Sequence, residues 1–256
     1  MKRWLSITIA ATLASFSVLA GGAPTCAAEI KVLSSNAMSD AMADLLPEFE
    51  RTSGHKVVAT YGPTPAVMNR VKAGEPADVV VLGRQSIDEL KKAARVVPGS
   101  EADLAKTTAG IAVRAGAPKP DISTVEAFKN AILSAQSVAV SEGASGNHFR
   151  RVLDRLGIAE AMKPKLKVVP GAAHTAKLVA AGEAEIAVQL MSELQAVPGA
   201  EIAGPLPGDL HFELLLAAAL DANAKEPEAA ATLIKFLASP GVSPVLKRKG
   251  MEPAQL

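Results

Sequence analysis

The sequence predicts an α/β protein of two Rossmann-like lobes, each a mixed, mainly parallel sheet with helices on its faces, joined by a two-strand hinge. Three observations lead there. Short apolar runs alternate with helix-period patterns from Glu29 onward, the signature of parallel strands linked by helical crossovers. The alternation starts afresh after a Gly-Pro-rich break, Ala115–Pro120. A late apolar run, Phe212–Leu220, then reads as a strand returning to the first unit.

The first residues stand apart in composition. Met1-Lys2-Arg3 is basic, Leu5 to Leu19 is mostly apolar, and Gly21 to Ala28 is rich in small residues, so residues 1–28 read as a secretory signal peptide. The apolar stretch is too short, and too rich in Ser and Thr, to span a bilayer comfortably. Cys26 raises the alternative of a lipid-modified cysteine, but Pro24-Thr25 ahead of it disfavours that processing. Cleavage near Ala27 or Ala28 and a periplasmic location are therefore expected. Loss of the leader removes the single Cys and the single Trp, so a mature chain starting at Glu29 has no thiol chemistry and rests on its core. Without Lys2 and Arg3 the 27 basic residues fall to 25, against 26 acidic ones. That balance, with charges scattered and Tyr61 the sole tyrosine, gives no footprint for nucleic acid.

In the first lobe Ile30, Val32 and Leu33 supply a strand and Ser34-Ser35-Asn36 a polar loop. Met38, Ala41, Met42, Leu45 and Leu46 then mark a helix that stops at Ser53-Gly54. Lys56–Tyr61 is the next strand and breaks at Gly62-Pro63-Thr64-Pro65, after which Val67 and Val71 mark a short helix closed by Gly74. Ala77–Gly83 is an apolar run of the kind found in a strand covered on both faces. A helix over Ser86–Ala94 follows, and the strand Ala109–Arg114 leads out of the lobe. In the second lobe Ser123 is expected to cap a helix over Val125–Ser134, with Glu126 reaching back. Strand Ser137–Val140, loop Ser141–Asn147 and helix His148–Leu156 come next. Strand Leu166–Val169, loop Pro170–Ala173, helix His174–Ala181 and strand Ala184–Gln189 complete the alternation. After the returning strand, Pro227–Leu237 reads as an amphipathic helix and Val242–Lys249 as a last short one. The lobes so delimited are 29–110 with 213–256, and 111–212, crossing near Ala109–Val113 and Phe212–Ala219.

Four segments carry a family resemblance by their order and spacing: VLSSNAMSDAM, VMNRVKAGEPADVVVLG, LGIAEAMKPKLKVV with LVAAGEAEIAV, and EPEAAATLIKFLASPGVSPVLKRKGMEP. Together they resemble the type II periplasmic solute-binding proteins of ABC transporters, most of all the molybdate-binding branch, from Glu29 to about Pro253. The resemblance implies the periplasmic binding protein type II fold, a ligand held in the interlobe cleft, an ABC permease as partner and a monomer. In the oxyanion binders a serine just ahead of the first helix contacts the anion; the matching position is Ala37, preceded here by Ser34, Ser35 and Asn36. The second contact loop falls on Gly62–Pro65, leaving Thr64 as its hydroxyl. The third falls on Glu142–Asn147 with Ala144, Ser145 and Asn147, and the fourth on Gly171–His174 with Ala172 and His174. The late tyrosine of the family falls on Gln189. These departures leave the identity of the ligand open.

Hydroxyls and backbone amides at helix N-termini can hold an oxyanion or a carboxylate, because the aligned peptide dipoles supply partial positive charge. Taken singly, each of these loops reads better as an ordinary helix cap. That all four fall where the family places its pocket favours a shared cleft. Asn36 and Gln189 bring donors as well as acceptors, which a bare oxyanion does not need, and so point to a larger organic solute such as a carboxylate. Arg84, His148 and His174 stand near these loops and suit such a ligand, whereas a solvated helix face accounts equally well for Arg150 and Arg151. Tyr61 either lines the cleft or packs at the end of its strand.

No Gly-x-Ser-x-Gly elbow, His–Asp pairing, metal-ligand spacing or phosphate loop occurs in the sequence. The expectation is a carrier that is not an enzyme, with no cofactor and no metal, capturing a small anionic or polar solute for ABC-type uptake. A true molybdate or tungstate binder is the alternative within binding. An exported enzyme acting on a small organic acid is the alternative from another class.

Overall fold

A computed structural model describes residues 27–170 and 174–254. The leader expected over residues 1–28 lies almost wholly outside these described residues, and so does Ala172.

The first half runs β1 (Glu29–Ser35), α1 (Ser39–Ser53), β2 (Lys56–Gly62), α2 (Thr64–Lys72), β3 (Val79–Gly83) and α3 (Arg84–Lys92). The long strand β4 (Ala102–Arg114) follows. The second half runs α4 (Val125–Ser134), β5 (Val138–Ser141), α5 (Ala144–Arg155), α6 (Ala159–Met162) and β6 (Leu166–Val169). It ends in α7 (Ala176–Ala180), β7 (Ile186–Leu190), α8 (Met191–Leu194) and β8 (Ala200–Pro205). The chain closes with β9 (Glu213–Leu220), α9 (Pro227–Leu237), α10 (Ser243–Arg248) and β10 (Glu252–Pro253).

The strands lie in the order β2-β1-β3-β9-β4-β7-β5-β6, with β8 and β10 also paired to β4. β1, β2 and β3 are parallel to one another, as are β5, β6 and β7. Antiparallel β9 and β4 join the two sets. β4 changes partners along its length: Ala102–Thr108 pairs with β9, and from Ala109 onward it pairs with β7 and β8. The chain returns to the first set between Pro205 and Glu213.

Strand alternation explains the apolar runs. In β3, Val79 and Val81 enter the core that holds Ile30, Met42 and Phe49, while Val80 and Leu82 enter the opposite one with Val67, Ile87 and Leu90. In the second half Val138 and Val140 pack with Phe128 and Phe149, whose rings meet edge to face at 6.4 Å, and Ala139 faces Val169 and Val179. Helix α1 stops where Gly54 takes a left-handed conformation, φ 76°, and donates its amide to the Glu50 carbonyl.

Four details differ from the sequence reading. Thr124, not Ser123, caps α4, because its extended backbone lets its hydroxyl accept the Ala127 amide at 3.1 Å. β4 starts at Ala102, in a stretch whose Asp103 and Lys106 mask the strand pattern. Helices α6 and α8 and strands β8 and β10 have no counterpart in the sequence reading. Finally, α5 begins at Ala144 and not at His148. Gly146 permits this: a Cβ there would lie 1.8 Å from the Ser141 carbonyl oxygen, so only glycine lets the first turn of α5 close on the end of β5.

One buried carboxylate ties the first half together. Asp78, 3 % exposed, accepts the Lys31 amide at 2.8 Å through Oδ2 and the Lys225 and Glu226 amides at 2.7 and 3.0 Å through Oδ1. It thereby joins β1 to the start of α9. Asp78→Ala strands three amides, and urea unfolding is expected to show a loss of about 3 kcal/mol with an unchanged slope. Wild-type stability in that variant contradicts this role.

Candidate functional site

The ends of β1, β5 and β7 converge on the first turns of α2 and α5. Between them lies a small cavity. Ser35 and Asn36 come from the end of β1, Pro63 and Thr64 from the start of α2, Ser141 and Ala144 from the β5–α5 junction, and Gln189 and Glu193 from β7 and α8. The cavity measures about 20 Å³, room for about one water. The first amides of α2 and α5 have no carbonyl four residues behind them, so both helices turn their positive ends to this space.

The hydroxyls are partly committed to local structure. Ser35 Oγ accepts the Ala37 amide at 3.2 Å, and Ser34 Oγ donates to the Ser35 carbonyl at 3.1 Å. Ser141 Oγ accepts the Gly143 amide at 3.3 Å and lies 3.4 Å from Ser145 Oγ. Of the residues singled out in sequence, Ser35, Asn36, Thr64, Ala144 and Gln189 thus share one cavity. Ser34, Ala37 and Ser145 are buried and adjoin lining residues in sequence without lining the cavity themselves. Thr64 and Ala144 also border an adjoining recess together with Arg84 and Asn147.

His148, Tyr61 and His174 do not line the cavity themselves, although the His174 side chain hydrogen-bonds the backbone of Glu193, which does. His148 is spent on structure: its Nε2 lies 2.8 Å from the Leu210 carbonyl oxygen and its ring stacks on Phe212 at 4.8 Å. Tyr61 pairs in register with Ser34 and is half-buried; burial, with the Asp40 carboxylate nearby, pushes its phenol up to about 12 and keeps it protonated. Burial holds the half-buried His174 below the ordinary imidazole value, partly offset by Asp40, and its Nδ1 has no partner among the described residues.

The feature that sequence reasoning missed is Glu193. It is 6 % exposed and sits on the first turn beyond β7, lining the cavity. Gln189 holds it. The Gln189 Oε1 accepts both the amide and the hydroxyl of the fully buried Thr175, at 2.7 and 2.8 Å, which turns its Nε2 to donate to Glu193 Oε1 at 2.9 Å. Burial dominates its ionisation: loss of solvent raises the carboxyl from 4.5 to about 7, against the lowering effect of the Gln189 hydrogen bond. Nothing in the letters marks it, since a glutamate in a short amphipathic stretch reads as a surface residue.

A sequence model of the family described as bacterial extracellular solute-binding protein matches residues 30–252. Aconitate isomerase of a Pseudomonas species is 36% identical over 252 residues, spanning 94% of this chain and 96% of that protein. The molybdate-binding protein ModA of Azotobacter vinelandii is 28% identical over 231 residues, 88% of this chain and 90% of that one. Among solved structures, the periplasmic molybdate-binding protein of Azotobacter vinelandii matches with a TM-score of 0.73 at 18% identity, covering 87% of this chain and 98% of that chain, a likeness of fold.

These findings correct one expectation. A carrier that is not an enzyme was expected, yet a relative 36% identical along nearly the whole chain is named an isomerase. The motifs whose absence suggested a carrier belong to acyl transfer, metal hydrolysis and phosphate binding. Isomerisation requires none of them.

The displaced carboxyl carries a stability signature. The folded state holds the Glu193 proton more tightly than the unfolded chain, so stability falls as pH rises from 4.5 through about 7 and is level above. The displacement corresponds to about 3 kcal/mol. His174 acts in the opposite sense, losing stability as pH falls through its depressed value. The difference between wild type and Glu193→Gln therefore isolates the carboxyl: denaturant melts should show the wild type falling behind the variant by about that amount over this window. Parallel pH profiles contradict a buried, displaced carboxyl.

Proposed function

This chain belongs to the bacterial extracellular solute-binding protein family, and from that premise we propose that it is an exported isomerase of a small unsaturated polycarboxylate, with Glu193 moving the proton. Aconitate is the substrate suggested by the 36% identical relative. Capture of a solute between two lobes, as in the family at large, becomes the substrate-binding step. The periplasm is the expected location. An ABC permease, which the family implies as partner, would meet the same solute.

The observation that carries this reading is the protonatable carboxyl in the cavity wall. A site evolved only to hold an oxyanion gains nothing from Glu193, which repels the ligand when ionised. A site that shifts a double bond needs such a group, and needs it balanced between its two protonation states near neutral pH. In the allylic shift the Glu193 carboxylate removes a proton from the methylene beside a substrate carboxylate. The C–H electron pair becomes the new C=C bond, and the pair of the old C=C bond takes the proton back from Glu193 at the far carbon. Geometry about the new double bond is set by how the walls hold the chain. Nothing is oxidised or reduced, and the proton ends on the substrate.

The surrounding groups fit these steps. Charge that spreads onto the substrate carboxylates as the C–H bond breaks would meet the first turns of α2 and α5 and the hydroxyls of Ser35, Thr64 and Ser141. Gln189, locked by Thr175, keeps the Glu193 carboxyl aimed. Because the cavity holds about one water, a six-carbon acid enters only when the two halves part about β4 and the return to β9, and closure then excludes solvent.

The mature protein is expected to interconvert cis- and trans-aconitate, followed by proton NMR. Its kcat/KM should rise with pH to a plateau above about 7, since the free enzyme must present an ionised Glu193. Glu193→Gln should lower kcat on the order of a hundredfold or more while still binding the acid. Stoichiometric binding of aconitate without turnover, or tight binding of molybdate with indifference to aconitate, contradicts the proposal.

A further inference from the structure

Outside the small cavity the cleft widens into a recess of about 430 Å³, continuous with it through shared Thr64, Ala144 and Leu214. One wall is the start of α3 with Arg84. The other is a stripe of α5, where Ala144, Asn147 and Arg151 follow at helical spacing.

The charges of cavity and recess are complementary. The inner cavity offers hydroxyls, helix ends and the Glu193 carboxyl, and no cationic side chain lines it among the described residues. A substrate with two or three carboxylates brings more negative charge than such a wall neutralises, so the part of the molecule left outside must meet a cation. The recess holds Arg151 and, already met by two carboxylates, Arg84. Arg84 is oriented by Asp103, Nη1 to Oδ1 at 2.7 Å, and by Asp88, Nε to Oδ1 at 3.4 Å, an arrangement that commits Nη2 to neither carboxylate. Arg151 is exposed and has no carboxylate partner among the described residues. Glu213, which also borders the recess, is neutralised by Lys106 at 3.1 Å.

We propose that this recess is a carboxylate subsite in which Arg151, facing the fixed Arg84 across the cleft, binds a second carboxylate of the solute. A planar guanidinium grips a carboxylate through two parallel hydrogen bonds. The subsite selects di- and tricarboxylates over monocarboxylates and small inorganic oxyanions, which fill the inner cavity alone. It also gives the lobes a reason to close, since the two guanidiniums stand on opposite halves of the chain. The inference rests on the proposed function only for the class of solute; it is a statement about binding, and binding can be read without turnover.

The test is calorimetric titration of the mature protein and of Arg151→Gln with propane-1,2,3-tricarboxylate, a saturated tricarboxylate that has no double bond to move, with crotonate as the monocarboxylate control. Arg151 is exposed, so melting temperatures should match. The expected result is a dissociation constant about tenfold weaker for the tricarboxylate in Arg151→Gln, partial rescue by Arg151→Lys, and no change for crotonate. Equal affinity of wild type and Arg151→Gln for the tricarboxylate overturns the subsite, as does failure of the wild type to bind it. The two proposals separate cleanly. Weakened tricarboxylate binding in a protein that does not isomerise aconitate keeps the subsite and removes the isomerase, whereas isomerisation with an unchanged KM in Arg151→Gln does the reverse.

Discussion

A buried chain of hydrogen bonds, Thr175 to Gln189 to Glu193, is the constraint on which the site depends. Both donors of Thr175 converge on one oxygen of Gln189, which leaves its amide nitrogen a single direction, toward Glu193. The carboxyl is thereby held in an almost solvent-free wall. Opposed effects meet there. Desolvation, helped by the Asp40 charge, favours the protonated form and the hydrogen bonds from Gln189 and the Leu190 backbone favour the ionised one; desolvation wins, and the balance point falls near neutrality. Removing either partner of such a buried pair leaves a polar group without compensation.

The same chain also links the site to the joint between the halves. Glu193 lies on α8, whose Met191 packs so closely on β4 that a Cβ at Gly110 would fall 2.3 Å from its sulfur. The Ser192 amide points at Thr107 Oγ1, 3.4 Å away, on the same strand. β4 is the strand that passes from one sheet set to the other, so the group proposed to move the proton stands beside the strand that joins the two halves. A scaffold that closes on a solute needs little change to become an isomerase. Under the proposed function such a scaffold would exclude water on closing and turn helix ends toward the substrate's charge, and one ionisable side chain in the wall would supply the chemistry.

How much of this is legible in the sequence depends on whether a feature rests on pattern or on place. The α/β alternation is legible because β3 is apolar on both faces, feeding Val79 and Val81 to one core and Val80 and Leu82 to another. The family is legible because four ordered segments keep their spacing. The start of α5 is not, since Ala144-Ser145-Gly146 reads as a loop until the contact between Gly146 and the Ser141 carbonyl is known. Gln189 stands out as a polar residue ending an apolar strand, yet its amide is spent on Thr175 and Glu193. Glu193 itself is silent, because its chemistry comes from burial, which no neighbouring letter encodes. His148, conspicuous in the sequence, is tied to Leu210 and Phe212.

The most direct test of this account is the ionisation of Glu193 itself, read by carbon NMR of carboxyl-labelled glutamate in the mature protein, with Glu193→Gln to assign the signal. The expected midpoint is near 7, raised further when Gln189→Leu removes the donated hydrogen bond. A midpoint near 4.5, the ordinary value for a solvated glutamate, would contradict it.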